Sequence, residues 1–130
     1  MSQAVVIHSE GLNWETWDAS QLAARGRVLW KTLFSRGLTD TDSLTVGVAL
    51  VHPGDALNPH HHAPSEIYFI LRGEGVMTLG ETEQLVRAGD AVFIPGNVRH
   101  GIANRSAQAV EFLYAFARDA FAEVVYHFPE

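Results

Sequence analysis

The sequence has 130 residues, a formal net charge of −6 and no cysteine. This length suits one domain, and the lack of cysteine excludes disulfides, thiolate metal sites and cysteine nucleophiles. The sequence shows no basic cluster of the kind that binds nucleic acid and no apolar run long enough to span a bilayer. The N-terminus also lacks the basic start and long apolar run of a secretory signal, so we expect a cytoplasmic protein without nucleic-acid or membrane partners.

The first 27 residues form a predicted N-terminal extension. They contain Trp14 and Trp17 and predict a short helix over residues 21–24, with Asp18 or Ser20 as its cap. We interpret these tryptophans, and Trp30 after them, as packing or interface residues.

Short strands dominate the chain from residue 28 onward. The predicted strands are 28–34, 44–51, 66–71, 75–79, 84–87, 91–94, 101–103, 110–117 and 123–128. Turn signals such as Pro53-Gly54-Asp55 and Pro95-Gly96-Asn97 separate them. Many short strands without alternating helices predict an all-β sandwich or barrel and exclude a doubly wound α/β fold.

A histidine-rich stretch follows the first of these turns. Side chains alternate along an extended chain, so His60 and His62 share one face and His61 points to the other. If the shared face is the inner one, Glu66 at the start of the next strand can join the two histidines. Tyr68, two residues later, then lies on the same wall.

A second stretch, residues 89–104, reads as a strand, a tight turn and a return strand, and it offers one more ligand, His100. Three imidazoles and one carboxylate suit a single divalent transition metal: iron, manganese, nickel, cobalt or zinc. Four protein ligands leave two positions of an octahedron open, which is what catalysis requires. His8, His52, His61 and His127 are interpreted as residues outside the metal site.

The two stretches resemble the two motifs of the cupin superfamily. The positions that match the first motif are Gly54, His60, His62, Glu66 and Gly73. Those that match the second are Gly89, Pro95, His100 and Asn104, and Asn97 stands where the motif has glycine. Asn97 is compatible with that turn because asparagine tolerates a left-handed backbone. The resemblance implies a double-stranded β-helix, the cupin jelly-roll barrel, as one domain over residues 1–130 with the barrel from about residue 28 to 129.

Three further segments resemble the small single-cupin dimethylsulfoniopropionate lyases: residues 60–68, the turn at 95–97 and the tail over 119–129. The resemblance implies a β-elimination on a small carboxylate, in which dimethyl sulfide leaves and acrylate forms. It also implies that Tyr68 is the base and that Tyr126, from the tail, faces the same cavity.

Two other functions remain open at this point: an iron-dependent dioxygenase using the same ligands, and a non-enzymatic small-molecule-binding cupin. Parity alone does not show which aromatic side chains face the cavity. We also expect a homodimer, paired through the first strand. The apolar side chains expected at its interface are Val28, Leu29, Trp30, Leu33 and Phe34.

Overall fold

The computed structural model describes residues 3–129 and consists mainly of β-strands. The strands among these residues are β1 (Leu29–Phe34), β2 (Thr45–Val51), β3 (Ala56–His60), β4 (Glu66–Arg72), β5 (Glu74–Leu79), β6 (Thr82–Arg87), β7 (Ala91–Ile94), β8 (His100–Ala103) and β9 (Val110–Phe116). One short helix, α1 (Leu22–Arg25), and the 3₁₀ turns Ser9–Gly11, Ala19–Gln21 and Phe121–Glu123 lie in the flanking segments.

The strands form two antiparallel sheets. One has the order β1-β2-β9-β4-β7 and the other the order β3-β8-β5-β6. Buried side chains of both sheets, such as Tyr68 and Phe112 in the first and Met77 and Ile102 in the second, form one hydrophobic core. This arrangement is a double-sheet jelly roll, so the expected all-β cupin barrel is confirmed.

Alternation along β4 determines what the barrel encloses. Glu66, Tyr68 and Ile70 are buried, whereas Ile67 and Phe69 between them are exposed. A carboxylate is costly to bury without a partner, because it gives up its hydration. Packing alone therefore does not explain why Glu66 lies inside the barrel.

Most predicted strands agree with the structure to within two residues, but one predicted strand is wrong and one strand of the structure was missed. The strand predicted over residues 123–128 is absent, and only His127 makes an isolated bridge, to His61. The strand β3 was not predicted. The predicted helix is confirmed one residue later as α1, and the backbone N–H of Asp18 bonds the side chain of Gln21 at 3.2 Å before it.

The two flanking segments meet over the barrel. The segment before β1 is joined to the barrel by backbone hydrogen bonds between Glu15 and Trp30 and by a bridge from Gly26 to Leu57. The segment after β9 is attached by reciprocal backbone hydrogen bonds between His61 and His127, of 3.0 and 2.9 Å. No helix among residues 3–129 is long and apolar enough to cross a membrane.

Candidate metal centre and the adjoining cavity

Three buried histidines converge inside the barrel. His60 ends β3, His62 follows in the next loop and His100 begins β8. The β3–β8 register pairs His60 with His100 directly, which places their rings 4.4 Å apart. Ring nitrogens of the three side chains all lie within 4.8 Å of one another. His61 lies on the exposed face, as alternation predicts.

Backbone carbonyls fix the tautomer of each of these rings. The Nδ1 atoms lie 2.7 to 2.9 Å from backbone oxygens two residues away; the pairs are His60 with Asn58, His62 with Pro64, and His100 with Val98. A carbonyl can only accept, so Nδ1 carries the proton and Nε2 keeps a free lone pair. This is how metal-ligating histidines are held in proteins.

Glu66 completes the cluster from β4. Its Oε1 lies 3.1 Å from Nε2 of His62 and 3.1 Å from Nε2 of His100. These atoms are all acceptors, and their close approach is favourable only when a cation or a proton lies among them. Nε2 of His60 is also buried without a hydrogen-bond partner. A metal ion would satisfy all four atoms, so the residues fit the group that the cupin motifs imply.

The charge state of His60 also agrees with a role as a metal ligand. Burial, and then the neighbouring His100, lowers the pKa of His60 to about 3. The imidazole is therefore neutral at physiological pH, as metal ligation requires. The histidine cluster can hold a divalent metal ion, and imidazole and carboxylate donors accept most of the first-row series.

The turn at residues 95–97 holds the two motifs together. The backbone N–H of Asn97 donates to the carbonyl of His62 at 2.7 Å, and Asn97 has a positive φ of 64°. Gly96 is pressed against the loop, because a Cβ there would lie 2.4 Å from the carbonyl oxygen of Ala63. Asn97 thus fills the position where the motif has glycine without disturbing the turn.

Asn104, the last residue of the second motif, is buried outside the histidine cluster. Its amide donates to the carbonyls of Val51 and Gln108, and its oxygen accepts from Ser106. Asn104 therefore holds the loop between β8 and β9, and its place in the motif is structural.

A small cavity adjoins Glu66 and is walled mainly by aromatic rings. The aromatic residues that line it are Trp17, Trp30, Tyr68, Phe112, Tyr114, Phe121 and Tyr126. Val28, Ala49 and Leu57 add apolar surface, and Glu66 is the charged residue of the lining. The cavity therefore offers a small molecule an aromatic enclosure beside the metal ligands.

Both predicted tyrosines lie in this cavity. Tyr68 stacks on Phe112 at 4.3 Å, and the Tyr126 ring lies 4.9 Å from that of His60. Burial, and then the charge of Glu66, raises the pKa of both phenols well above its usual value. Without a metal, both are neutral hydroxyl groups. A cation held at Glu66 would oppose the second of these causes.

The structure places the three tryptophans in different surroundings. The packing role predicted for Trp30 agrees with the structure, in which Trp30 and Val28 both line the cavity, and the predicted dimer interface stays a prediction. Trp17 lines the cavity too, packed 4.7 Å from Trp30, whereas Trp14 is exposed beside Lys31. The spacing from Val28 to Trp30 shows that they share a face, but the sequence does not say that this face is the inner one.

Comparison with known proteins places these observations in a family. The cupin domain model matches residues 47–116, which include all three histidines and Glu66. The dimethylsulfoniopropionate lyase DddW of Ruegeria pomeroyi is 35% identical over 103 residues, which cover 79% of this chain and 67% of the lyase.

Solved structures share the fold at lower identity. The dimethylsulfoniopropionate lyase DddQ of Ruegeria pomeroyi superposes with a TM-score of 0.70 at 24% identity, over 88% of this chain and 60% of that one. The polyketide cyclase RemF of Streptomyces resistomycificus gives 0.76 at 18% identity, over 98% of this chain and 87% of that one. These identities show the fold alone, which hosts different chemistries. On its sequence motifs, its barrel and the domain match, the chain belongs to the cupin family, and within it resembles the dimethylsulfoniopropionate lyases.

Proposed function

We propose that the protein is a metal-dependent lyase that catalyses β-elimination on a small carboxylate such as dimethylsulfoniopropionate. The observation that carries this proposal is the position of two tyrosines, Tyr68 and Tyr126, in one cavity beside Glu66 and the histidine cluster. The 35% identity to a dimethylsulfoniopropionate lyase supports the choice of substrate.

In this proposal His60, His62, Glu66 and His100 hold one divalent ion of iron, manganese, nickel, cobalt or zinc. When bound, the ion would supply a Lewis acid that withdraws electron density from the substrate carboxylate and acidifies the neighbouring C–H group.

Tyr68 is the proposed base. Tyr68 acts in its ionised form, which the positive charge of a bound metal would favour over the neutral phenol. The phenolate oxygen takes the proton from the carbon next to the carboxylate, and the electron pair of that C–H bond becomes the new C=C bond. The bond from the neighbouring carbon to sulfur breaks, its electrons leave with dimethyl sulfide, and acrylate remains. Tyr126 lies against His60, from where its hydroxyl can orient the substrate or share the proton.

The aromatic lining suits the other end of such a substrate. Aromatic faces carry partial negative charge and attract onium groups. A sulfonium group has no hydrogen-bond donor or acceptor to satisfy, so an apolar wall suits it. The enclosure also keeps water away from the reacting carbon, which strengthens the electrostatic interactions of Glu66 and the tyrosines.

A cupin dioxygenase is the second candidate, because the same donor set with open positions also suits ferrous iron. One experiment distinguishes the lyase from the dioxygenase. The metal-free protein is loaded with each of the five metals, and dimethylsulfoniopropionate is added with and without oxygen. A lyase releases acrylate and dimethyl sulfide in equal amounts without oxygen. Substrate loss that requires both ferrous iron and oxygen would establish the dioxygenase, and binding without turnover would establish a binding protein.

A further inference from the structure

His60 is held differently from the other two histidines of the metal centre. The Nε2 atoms of His62 and His100 each lie 3.1 Å from Oε1 of Glu66. Nε2 of His60 is buried without a hydrogen-bond partner, and the ring is oriented by the 2.7 Å contact of its Nδ1 with the carbonyl of Asn58. A metal ligand must be held close to its productive orientation, so packing has to contribute at His60.

Two aromatic rings of the tail, residues 119–129, supply this packing. The ring of Tyr126 lies 4.9 Å from that of His60 at an angle of 29°, and the ring of Phe128 lies 4.8 Å from it at 36°. The two tail rings are nearly parallel to each other, with 13° between their planes. The imidazole of His60 therefore packs against two rings that come from one short segment.

Backbone pairing explains why both rings meet His60. The backbones of His61 and His127 exchange hydrogen bonds of 3.0 and 2.9 Å, and their rings stack at 4.8 Å on the exposed side. Side chains alternate along an extended chain, so the residues on either side of His127 point away from the face that His127 occupies. Because His61 and His127 are paired directly, that opposite face is the one that carries His60.

Phe128 differs from Tyr126 in its relation to the cavity. Tyr126 lines the cavity and carries a hydroxyl group, whereas Phe128 lies outside the lining and has no polar group. The guanidinium carbon of Arg25 lies 5.0 Å from the centre of the Phe128 ring and 4.7 Å from that of the Trp17 ring. Phe128 is therefore attached to the metal centre through His60 and to the segment before β1 through Arg25.

We propose that Phe128 is a positioning residue, whose ring holds the His60 imidazole in the orientation that binds the metal. The proposal rests on the proposed function only in taking His60 as a metal ligand. It implies that the tail and the metal stabilise each other, because a His60 ring fixed by the metal gives Phe128 a fixed surface to pack against.

The first test measures the zinc affinity of the full chain by competition with a chelator. Phe128→Leu removes the ring but keeps an apolar side chain. It should weaken zinc binding about tenfold or more, as the loss of a group that orients a metal ligand does. Phe128→Tyr keeps the ring and should bind zinc with the wild-type affinity. The matched control is Val125→Ala, at a tail position that is 61% exposed, which should also leave the affinity unchanged.

The visible absorption spectrum of the cobalt-loaded protein is the second measurement, because it responds to the geometry of the ligands. Phe128→Leu, saturated with cobalt, should shift the absorption bands, whereas Phe128→Tyr and Val125→Ala should give the wild-type spectrum. If Phe128 contributed only to the stability of the fold, the spectrum of the folded, saturated variant would not change.

Hydrogen exchange measured by NMR tests the link between the metal and the tail. The backbone N–H of His127 donates to the carbonyl of His61 at 2.9 Å, so its exchange rate reports opening of the tail. Zinc should slow this exchange in the wild type and have a smaller effect in Phe128→Leu. If Phe128→Leu does not fold, the wild type decides, since an exchange rate that zinc does not change overturns the proposal.

The possible failures are distinguishable. Wild-type zinc affinity in Phe128→Leu, an unchanged cobalt spectrum, or an equal loss of affinity in Phe128→Tyr overturns the role of Phe128 and leaves the lyase proposal standing. The expected losses in Phe128→Leu, without elimination of dimethylsulfoniopropionate by the wild type under any metal, overturn the lyase proposal and uphold Phe128. If the wild type binds neither zinc nor cobalt, the metal centre and the role of Phe128 are both wrong.

Discussion

Oε1 of Glu66 lies 3.1 Å from Nε2 of His100, although 34 positions separate the two residues in the chain. Nδ1 of His100 already donates its proton to Val98, so the contact brings two lone pairs together. Such a contact costs free energy in the metal-free protein, and a bound cation removes the cost. The folded barrel should therefore hold a metal tightly and be stabilised by it, because ligands that bind only the folded state raise stability.

The first prediction concerns metal content. Purified protein should contain about one divalent ion per chain by elemental analysis, and His60→Ala or His100→Ala should lower this strongly, because each removes one of the proposed ligands. The matched control is His61→Ala, which removes an exposed imidazole between two of them. Full occupancy in both ligand variants, or equal loss in the control, would contradict the site.

The second prediction concerns pH in the chelator-treated protein. The folded state holds the pKa of His60 at about 3, against 6.5 for an ordinary histidine. Between these values the unfolded chain binds a proton that the folded chain does not. The free energy of unfolding should thus fall as pH drops through this window, by up to about 1.4 kcal/mol per pH unit.

Urea unfolding at a series of pH values measures this slope. His60→Gln removes the titrating group and should flatten the dependence, whereas His52→Gln, at an exposed position, should leave it unchanged. An equally steep slope in His60→Gln would show that other groups cause the acid sensitivity.

The third prediction separates catalysis from metal binding. Tyr68→Phe removes one hydroxyl and keeps the ring that stacks on Phe112, so folding and metal content should survive. Turnover of dimethylsulfoniopropionate should fall about a hundredfold or more, mainly in kcat, because the proton moves only in the transition state. Tyr126→Phe should lose less.

The measurement is acrylate or dimethyl sulfide release from samples matched for metal. Elimination by Tyr68→Phe at the wild-type rate would remove Tyr68 as the base and make Tyr126 the next residue to test.

The fourth prediction concerns assembly. The outer face of the five-stranded sheet exposes 46% of Ile67, 43% of Phe69, 45% of Leu71 and 66% of Phe93. A contiguous apolar face of this kind is typical of an interface. We predict a homodimer in which this face, rather than Val28 and Trp30, meets its copy.

Sedimentation at micromolar concentration tests the dimer. Phe69→Lys places a charge in the middle of the face and should give monomers with normal metal content. Leu85→Lys, at an exposed leucine of the other sheet, should leave the dimer intact. A monomeric wild type would contradict the prediction.

The strands and the shared face of His60 and His62 could be predicted from sequence because both depend on a period of two, whereas Glu66 and His100 were identified from the spacing of the two motifs. His60 and His62 face one way and His61 the other, whatever the barrel does around them. β3 was missed because Asn58 and Pro59 occupy it, and both are uncommon in strands. Its pairing with β8 is accordingly irregular between Leu57 and His60.

The opposite error occurred in the tail. The composition of residues 123–128 predicts a strand, yet in the structure Tyr126 and Phe128 pack against the His60 ring and only His127 forms a bridge. The position of Trp17 could not be predicted from the sequence either, because its partners Tyr126 and Phe128 lie more than 100 positions away. Local patterns do not report such contacts.

The residues around the cavity come from two different parts of the chain, and this has an evolutionary consequence. The residues that match the cupin domain supply the histidines and Glu66, but Trp17, Val28, Trp30, Phe121 and Tyr126 lie outside them. Mutations in the two flanking segments can thus change the shape of the cavity while the four proposed metal ligands stay the same. Substrate preference in such small barrels can diverge independently of the metal chemistry, and grafting both flanks onto a related barrel would be a direct route to transferring it.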